Sequence, residues 1–250
     1  MNDPVDRQKK YYESNAFTYE EAHESGVSEH DYALDWLSSV ITRSNCSSLL
    51  DIGSGTGRAL RRIKADGHQI KLVGIEPVKA LREVGFTRGL TENELIEGDA
   101  LNLSFETNSF DIVCCFGVLH HIRDHRKVVS EMCRVARHAV FISDSNNFGQ
   151  GQFSVRFLKQ FIRLIGLWST FEYIRTGGIM YHYSDGDGVF YSYTIFDDIN
   201  ILRKSFTSLR FLGTKSSGPN LYRSAGHLAV LAEKKSLDNF YCTYRLLVEY

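Results

Sequence analysis

Leu49-Leu50-Asp51-Ile52-Gly53-Ser54-Gly55-Thr56-Gly57 is the stretch that decides the fold. Apolar residues run into a glycine-rich turn, and a helix-forming run begins at Arg58. Glycine has no Cβ, so such a turn can bring backbone N–H groups close to a ligand. The spacing is not the dinucleotide fingerprint G-x-G-x-x-G, which would need glycine where Arg58 stands. The glycines fall at 53, 55 and 57, with Asp51 two places before the first. No Walker A lysine follows, and no G-x-S-x-G nucleophile elbow is present.

Outward from this turn, short apolar runs alternate with helical patterns, which argues for a parallel sheet. Strands are expected at 48–52, 71–75, 93–97, 112–116 and 139–143, with helices at 29–43 and 125–136. Residues 206–213 and 226–234 read as a terminal antiparallel pair. The expected fold is α/β: a Rossmann-like, seven-stranded, mostly parallel sheet with an antiparallel last strand. One domain is expected. Residues 1–45 would form N-terminal helices and a lid, 46–147 the ligand-binding core, 148–194 a helical and loop insertion after the fifth strand, and 195–250 the rest of the core and a tail. The aromatic-rich stretch 236–250 reads as a helix packed on the core or on a partner.

The pattern D-x-G-x-G-x-G resembles motif I of the class I S-adenosylmethionine (SAM) dependent methyltransferases, in their small-molecule, methyltransferase-11/25-like branch. SAM carries no pyrophosphate, so close backbone approach still matters while a phosphate-directed helix N-terminus does not. The resemblance implies a SAM site built from Asp51, Gly53, Ser54, Gly55, Gly57, Glu76, Pro77, Asp99, Ala100 and Phe116. Asp51 would fix the loop and the amino-acid end of SAM. Glu76, about 20 residues past the turn, is placed to accept both ribose hydroxyls. Asp99 and the Ala100 N–H would meet the adenine. The string Gly117-Val-Leu-His-His-Ile122 resembles the family's segment after its fourth strand. Alternatives remain for the separate pieces: Glu76 also reads as a solvated acid before Pro77, and Gly98-Asp99 as an ordinary turn.

Methyl transfer asks for alignment of the acceptor, exclusion of water and removal of a proton from a hydroxyl. Candidate catalytic groups at the carboxyl ends of strands four and five are His120, His121 and Asp144. Tyr11, Tyr12, Tyr191 and Tyr193 are candidates to line the acceptor pocket. No metal is expected, because adjacent histidines point in different directions and no H-E-x-x-H spacing occurs. The segment around Gly186-Asp-Gly-Val-Phe-Tyr191 resembles a calcium loop only superficially, for lack of a distal glutamate.

The net charge of −1 gives no global pull toward nucleic acid or acidic lipid. Five cysteines without a C-x-x-C pair suit a reducing cytoplasm. No apolar signal core and no spanning helix are expected. Gln152–Trp168 places Phe153, Phe157, Phe161, Leu164, Ile165 and Trp168 on one helical face. Three readings of it stand: a helix packed on the sheet, a substrate lid, or an interfacial helix giving weak peripheral membrane association.

The Asn-Pro-Pro-Tyr type sequence of amino-directed methyltransferases is absent after strand four. The segments 186–193 and 220–227 resemble bacterial methyltransferases found with glycan or secondary-metabolite biosynthesis. The expected reaction is methyl transfer to a small or medium-sized polar acceptor, with oxygen favoured and nitrogen or carbon open. The contrasting expectations are a SAM-binding, partner-docking module without catalysis, and, against the glycine spacing, an NAD-linked oxidoreductase.

Overall fold

The computed structural model describes residues 3–24, 28–215, 218 and 220–234, with no side-chain detail over 17–24. The sequence expectation for 236–250 lies outside the described residues. Helices α1 (Pro4–Glu24) and α2 (Glu29–Arg43) lead into β1 (Ser48–Ile52), α3 (Arg58–Ala65), β2 (Lys71–Ile75), α4 (Lys79–Thr87), β3 (Leu95–Ile96) and β4 (Phe110–Phe116). Then follow α5 (His125–Val135), β5 (Ala136–Ser145), α6 (Phe153–Leu164), α7 (Trp168–Arg175), β6 (His182–Ser184) and β7 (Gly188–Phe190). The chain continues through α8 (Ile199–Ser205), β8 (Ser208–Lys215), α9 (Leu221–Ser224) and β9 (His227–Glu233).

Seven strands form one sheet in the order β3-β2-β1-β4-β5-β9-β8. The first five pair in parallel, and β9 enters antiparallel between β5 and β8. Every residue of β1 is buried, as an interior parallel strand covered on both faces requires. Alternation along β4 divides its side chains between two cores. Val113 and Cys115 pack with Val128 and Met132 of α5, while Ile112 and Cys114 pack with Leu37 of α2 and Leu60 of α3. Ile52 is in register with Ile75 on one side and Cys115 on the other. The glycine turn, Glu76 and Phe116 therefore leave the sheet along one edge.

A second, two-stranded sheet is the hairpin β6–β7, in the segment read from sequence as a polar loop. Helix α1 ties it to the core. Near its middle Tyr12 and Ala16 pack with Val78, Leu81 and Val84 at α4, and toward its start Gln8 holds the hairpin. The expected helix over 152–168 is broken. Gly166 adopts φ +76°, a left-handed conformation that ends α6, and α7 begins two residues later. No residue of α6 is buried. Its apolar side chains face outward, with Phe153 76% and Leu164 83% exposed, so α6 does not pack on the sheet through that face. Among the described residues no helix is long and apolar enough to cross a membrane.

Candidate active site

The glycine turn after β1 adopts left-handed φ values of +64° at Gly53, +56° at Gly55 and +75° at Gly57. Only glycine takes these without strain. A Cβ on Gly53 would strike Val118, so the turn after β1 rests directly on the turn after β4. A Cβ on Gly55 would meet no protein atom within 4 Å, and that side of the loop is open.

Two buried carboxylates frame the loop. Asp51 accepts a 2.6 Å hydrogen bond from Ser54 Oγ and lies 3.6 Å from Cys114 Sγ. Glu76 accepts from the N–H groups of Gly55 at 3.0 Å and Val78 at 2.8 Å. Burial drives both acids up to about 7, against the pull of these hydrogen bonds. Asp99 stands exposed at the end of β3, with Oδ1 accepting from Leu101 N–H at 2.8 Å. Ala100 and Phe116 are half-buried beside the first core, respectively the second, and Pro77 is exposed. The whole predicted set lies at the carboxyl edge of β1 to β4.

The second half of the site comes from the turn after β4. Residues Leu119–His121 form one 3-10 turn. His120 Nδ1 lies 2.6 Å from Asp144 Oδ1 on β5. Asp144 is fully buried and also accepts from the N–H groups of Leu119 at 2.8 Å and Ser145 at 2.6 Å. Burial alone would raise Asp144, but His120 and these bonds hold it down at about 2. Burial likewise opposes charge on His120, yet Asp144 and Asp187 outweigh it and raise the ring to about 10. His121 Nδ1 lies 2.6 Å from the Val189 carbonyl, which places a donating proton on Nδ1. The Tyr12 hydroxyl lies 3.2 Å from His121 Nε2.

Of the four tyrosines, Tyr12 reaches His121, and the Tyr11 hydroxyl donates to the Asp185 carbonyl at 3.1 Å. Tyr191 is half-buried, and its N–H donates to the His120 carbonyl at 2.7 Å. Tyr193 does not join them. It packs fully buried in the main core, and its hydroxyl is spent on Asp198 at 2.9 Å. Four residues near the site carried no sequence signal of a role. Gln8 and Asp187 reach it only because α1 meets a hairpin some 180 positions downstream. His30, pushed down to about 3 by burial, stands edge-on to Phe116, and Arg58 pairs with Asp31 at 2.5 Å.

The family described as "Methyltransferase domain" matches residues 50–142, the segment running from the glycine turn through β5. Over that segment the chain is similar to the SAM-dependent methyltransferases. Norajmaline N-methyltransferase of Rauvolfia serpentina is 36% identical over 93 residues, covering 36% of this chain and 32% of that protein. Demethylmenaquinone methyltransferase of Thermotoga maritima is 31% identical over 98 residues, covering 39% and 42%. The chain thus spans less than half the length of either relative in the match. The fold is shared with magnesium protoporphyrin IX methyltransferase of Synechocystis with bound S-adenosylhomocysteine, at TM-score 0.59, 15% identity, and coverage of 93% and 100%. SAM is the cofactor of this class, and the residues present fit it: an open glycine cradle at Gly55 and a buried acid, Glu76, one strand away. Asp51 adds a second buried carboxyl group beside the loop.

Proposed function

We propose that this chain transfers a methyl group from SAM to a small or medium-sized polar acceptor, with an oxygen as the favoured nucleophile. The observation that carries this reading is the junction of two turns. Gly53 rests on Val118, so the SAM cradle adjoins His120, His121 and Asp144 at one sheet edge. SAM supplies an activated methyl on a sulfonium, whose thioether is a good leaving group.

The protein supplies placement. Asp144 is a positioning residue that fixes the His120 ring. His121 offers the Nε2 lone pair toward which a hydroxyl proton can move, with Tyr12 beside it. Helix α1 and the β6–β7 hairpin roof the acceptor side and limit water, residues 148–194 acting as the cap. The aromatic and carboxylate lining from Tyr11, Tyr12, Tyr191 and Asp187 supports a polar acceptor, including the glycan or secondary-metabolite class. Four free cysteines among the described residues support a reducing, cytoplasmic setting.

The test is incubation of the pure protein with methyl-labelled SAM and source-cell extract divided into small-molecule, lipid, glycan, protein and nucleic-acid fractions. Label in the small-molecule or glycan fraction is the expected result. Label in protein or nucleic acid alone would replace the acceptor class. A second reading, a SAM-binding module that docks a partner, is favoured by the exposed apolar face of α6 and α7. SAM binding by calorimetry with no label in any fraction would favour it.

A further inference from the structure

Adjacent histidines ordinarily diverge, but His120 and His121 converge on the 3-10 turn at Leu119–His121. The two rings lie with centroids 4.0 Å apart and present Nε2 to the same group. That group is Asp187, in the β6–β7 hairpin. His120 Nε2 is 3.4 Å from Asp187 Oδ2, and His121 Nε2 is 3.4 Å from Asp187 Oδ1.

From these contacts we propose that His120, His121 and Asp187 form a binding site for a divalent transition-metal cation, of the zinc, cobalt or manganese kind, between the core and the cap. All three ligand atoms lie within 4.8 Å of one another. Bonds of about 2.0–2.2 Å in tetrahedral geometry put neighbouring ligands about 3.4 Å apart. Both observed nitrogen-to-oxygen separations have that value, long for a charged hydrogen bond.

The surroundings are those of metal-bound imidazoles. Each histidine has Nδ1 tied to an acceptor, His120 to the Asp144 carboxylate and His121 to the Val189 carbonyl. Such partners set the tautomer and aim Nε2 at a cation. The other polar neighbours are the Tyr12 hydroxyl, 3.2 Å from His121 Nε2, and Gln8 Nε2, 3.3 Å from His121 Nδ1.

Three protein ligands leave a coordination position for the acceptor's oxygen. This use of the site rests on the methyl-transfer reading. With the cation bound, His121 Nε2 would be a ligand and not the proton acceptor; the cation would lower the pKa of a bound hydroxyl, whose proton would pass to water. The oxygen then forms its bond to the methyl carbon as the S–CH₃ bond breaks and the neutral thioether leaves.

The test uses the full chain without a histidine tag, stripped with chelator and titrated with Co²⁺, followed by visible absorption and competition with Zn²⁺. One cobalt per chain, displaced by zinc, is expected. Asp187→Asn should weaken cobalt by about tenfold or more, and Asp144→Asn by about 10–100-fold through the His120 ring. SAM binding by calorimetry serves as the check of folding for both. Tyr12→Phe, with all three ligands intact, should keep cobalt affinity. Absence of saturable cobalt binding in SAM-binding protein would overturn the site, as would unchanged affinity in a folded Asp187→Asn. Stoichiometric cobalt without methyl transfer leaves the site standing and removes the transferase reading instead.

Discussion

Glu76 and Asp51 show how a single side chain is tuned by where it sits. Glu76 uses both carboxylate oxygens on backbone N–H groups of the loop and of the start of α4. Glu76→Ala removes a charge-assisted acceptor from the SAM site, and affinity should fall by about 1–3 kcal/mol. Titration calorimetry measures it, and an unchanged dissociation constant would place the ribose elsewhere. The pH dependence follows from the same burial. Both acids are raised to about 7 in the folded protein, from ordinary values of 3.8 and 4.5. Ribose hydroxyls donating to Glu76 and the ligand's ammonium near Asp51 favour the ionised forms, so binding releases protons below that pH. SAM affinity should weaken as pH falls below 7, approaching about tenfold per unit for each acid that must ionise. Heats measured in buffers of different ionisation enthalpy should diverge at pH 6 and converge at pH 8.5. For the ligand-free chain the sign reverses. The unfolded acids ionise first, so these two groups cost stability as pH rises from about 4 to 7. Both residues stood out in the sequence as candidates because Asp51 lies near the end of β1 and Glu76 directly follows β2, each in a local pattern. Their shifted acidity did not, since it depends on what covers them.

Elements were legible in proportion to how local their pattern is. Strands β1, β2, β4 and β5 are apolar runs between turn signals, and all four were placed. The three-residue strands β6 and β7 are too short to show alternation, and what holds them lies in α1. The periodicity of 152–168 correctly gave an apolar face, but amphipathic spacing says only that one face differs, not what it meets. The hairpin is held by a latch. Gln8 accepts from Val189 N–H and donates to the Asp187 carbonyl at 3.2 Å, while Arg7 lies 4.0 Å over the Tyr183 ring. Gly188 makes this approach feasible, with φ +71° and no Cβ where Gln8 Oε1 sits. Gly188→Ala should therefore strain the backbone and push the latch open. A loss of about 1–2 kcal/mol is expected, seen as a lower Tm. The KM for the acceptor should rise further than the KM for SAM, because the hairpin borders the acceptor side. Equal changes in both constants would count against the hairpin as a cap.

At the scale of the whole molecule, the sheet order reverses between β1 and β4, and a ligand crevice opens where the chain switches direction. The candidate cofactor residues stand at the ends of strands far apart in sequence, so a ligand in that crevice should brace the central sheet. S-adenosylhomocysteine at 100 times its dissociation constant should add about 2.7 kcal/mol of stability. For a chain of this size that corresponds to a Tm higher by about 5–11 °C. The exposed face of α6 should behave in the opposite way. Leu164 and Phe153 bury little of their surface in the chain, so Leu164→Ser and Phe153→Ser should change stability by less than about 0.5 kcal/mol. Both variants should keep the full ligand-induced shift in Tm. A large loss of stability in either one, deepening on dilution, would mean that the face is covered by a second copy in solution. The outcome separates a fold stabilised at its crevice from one completed by a partner.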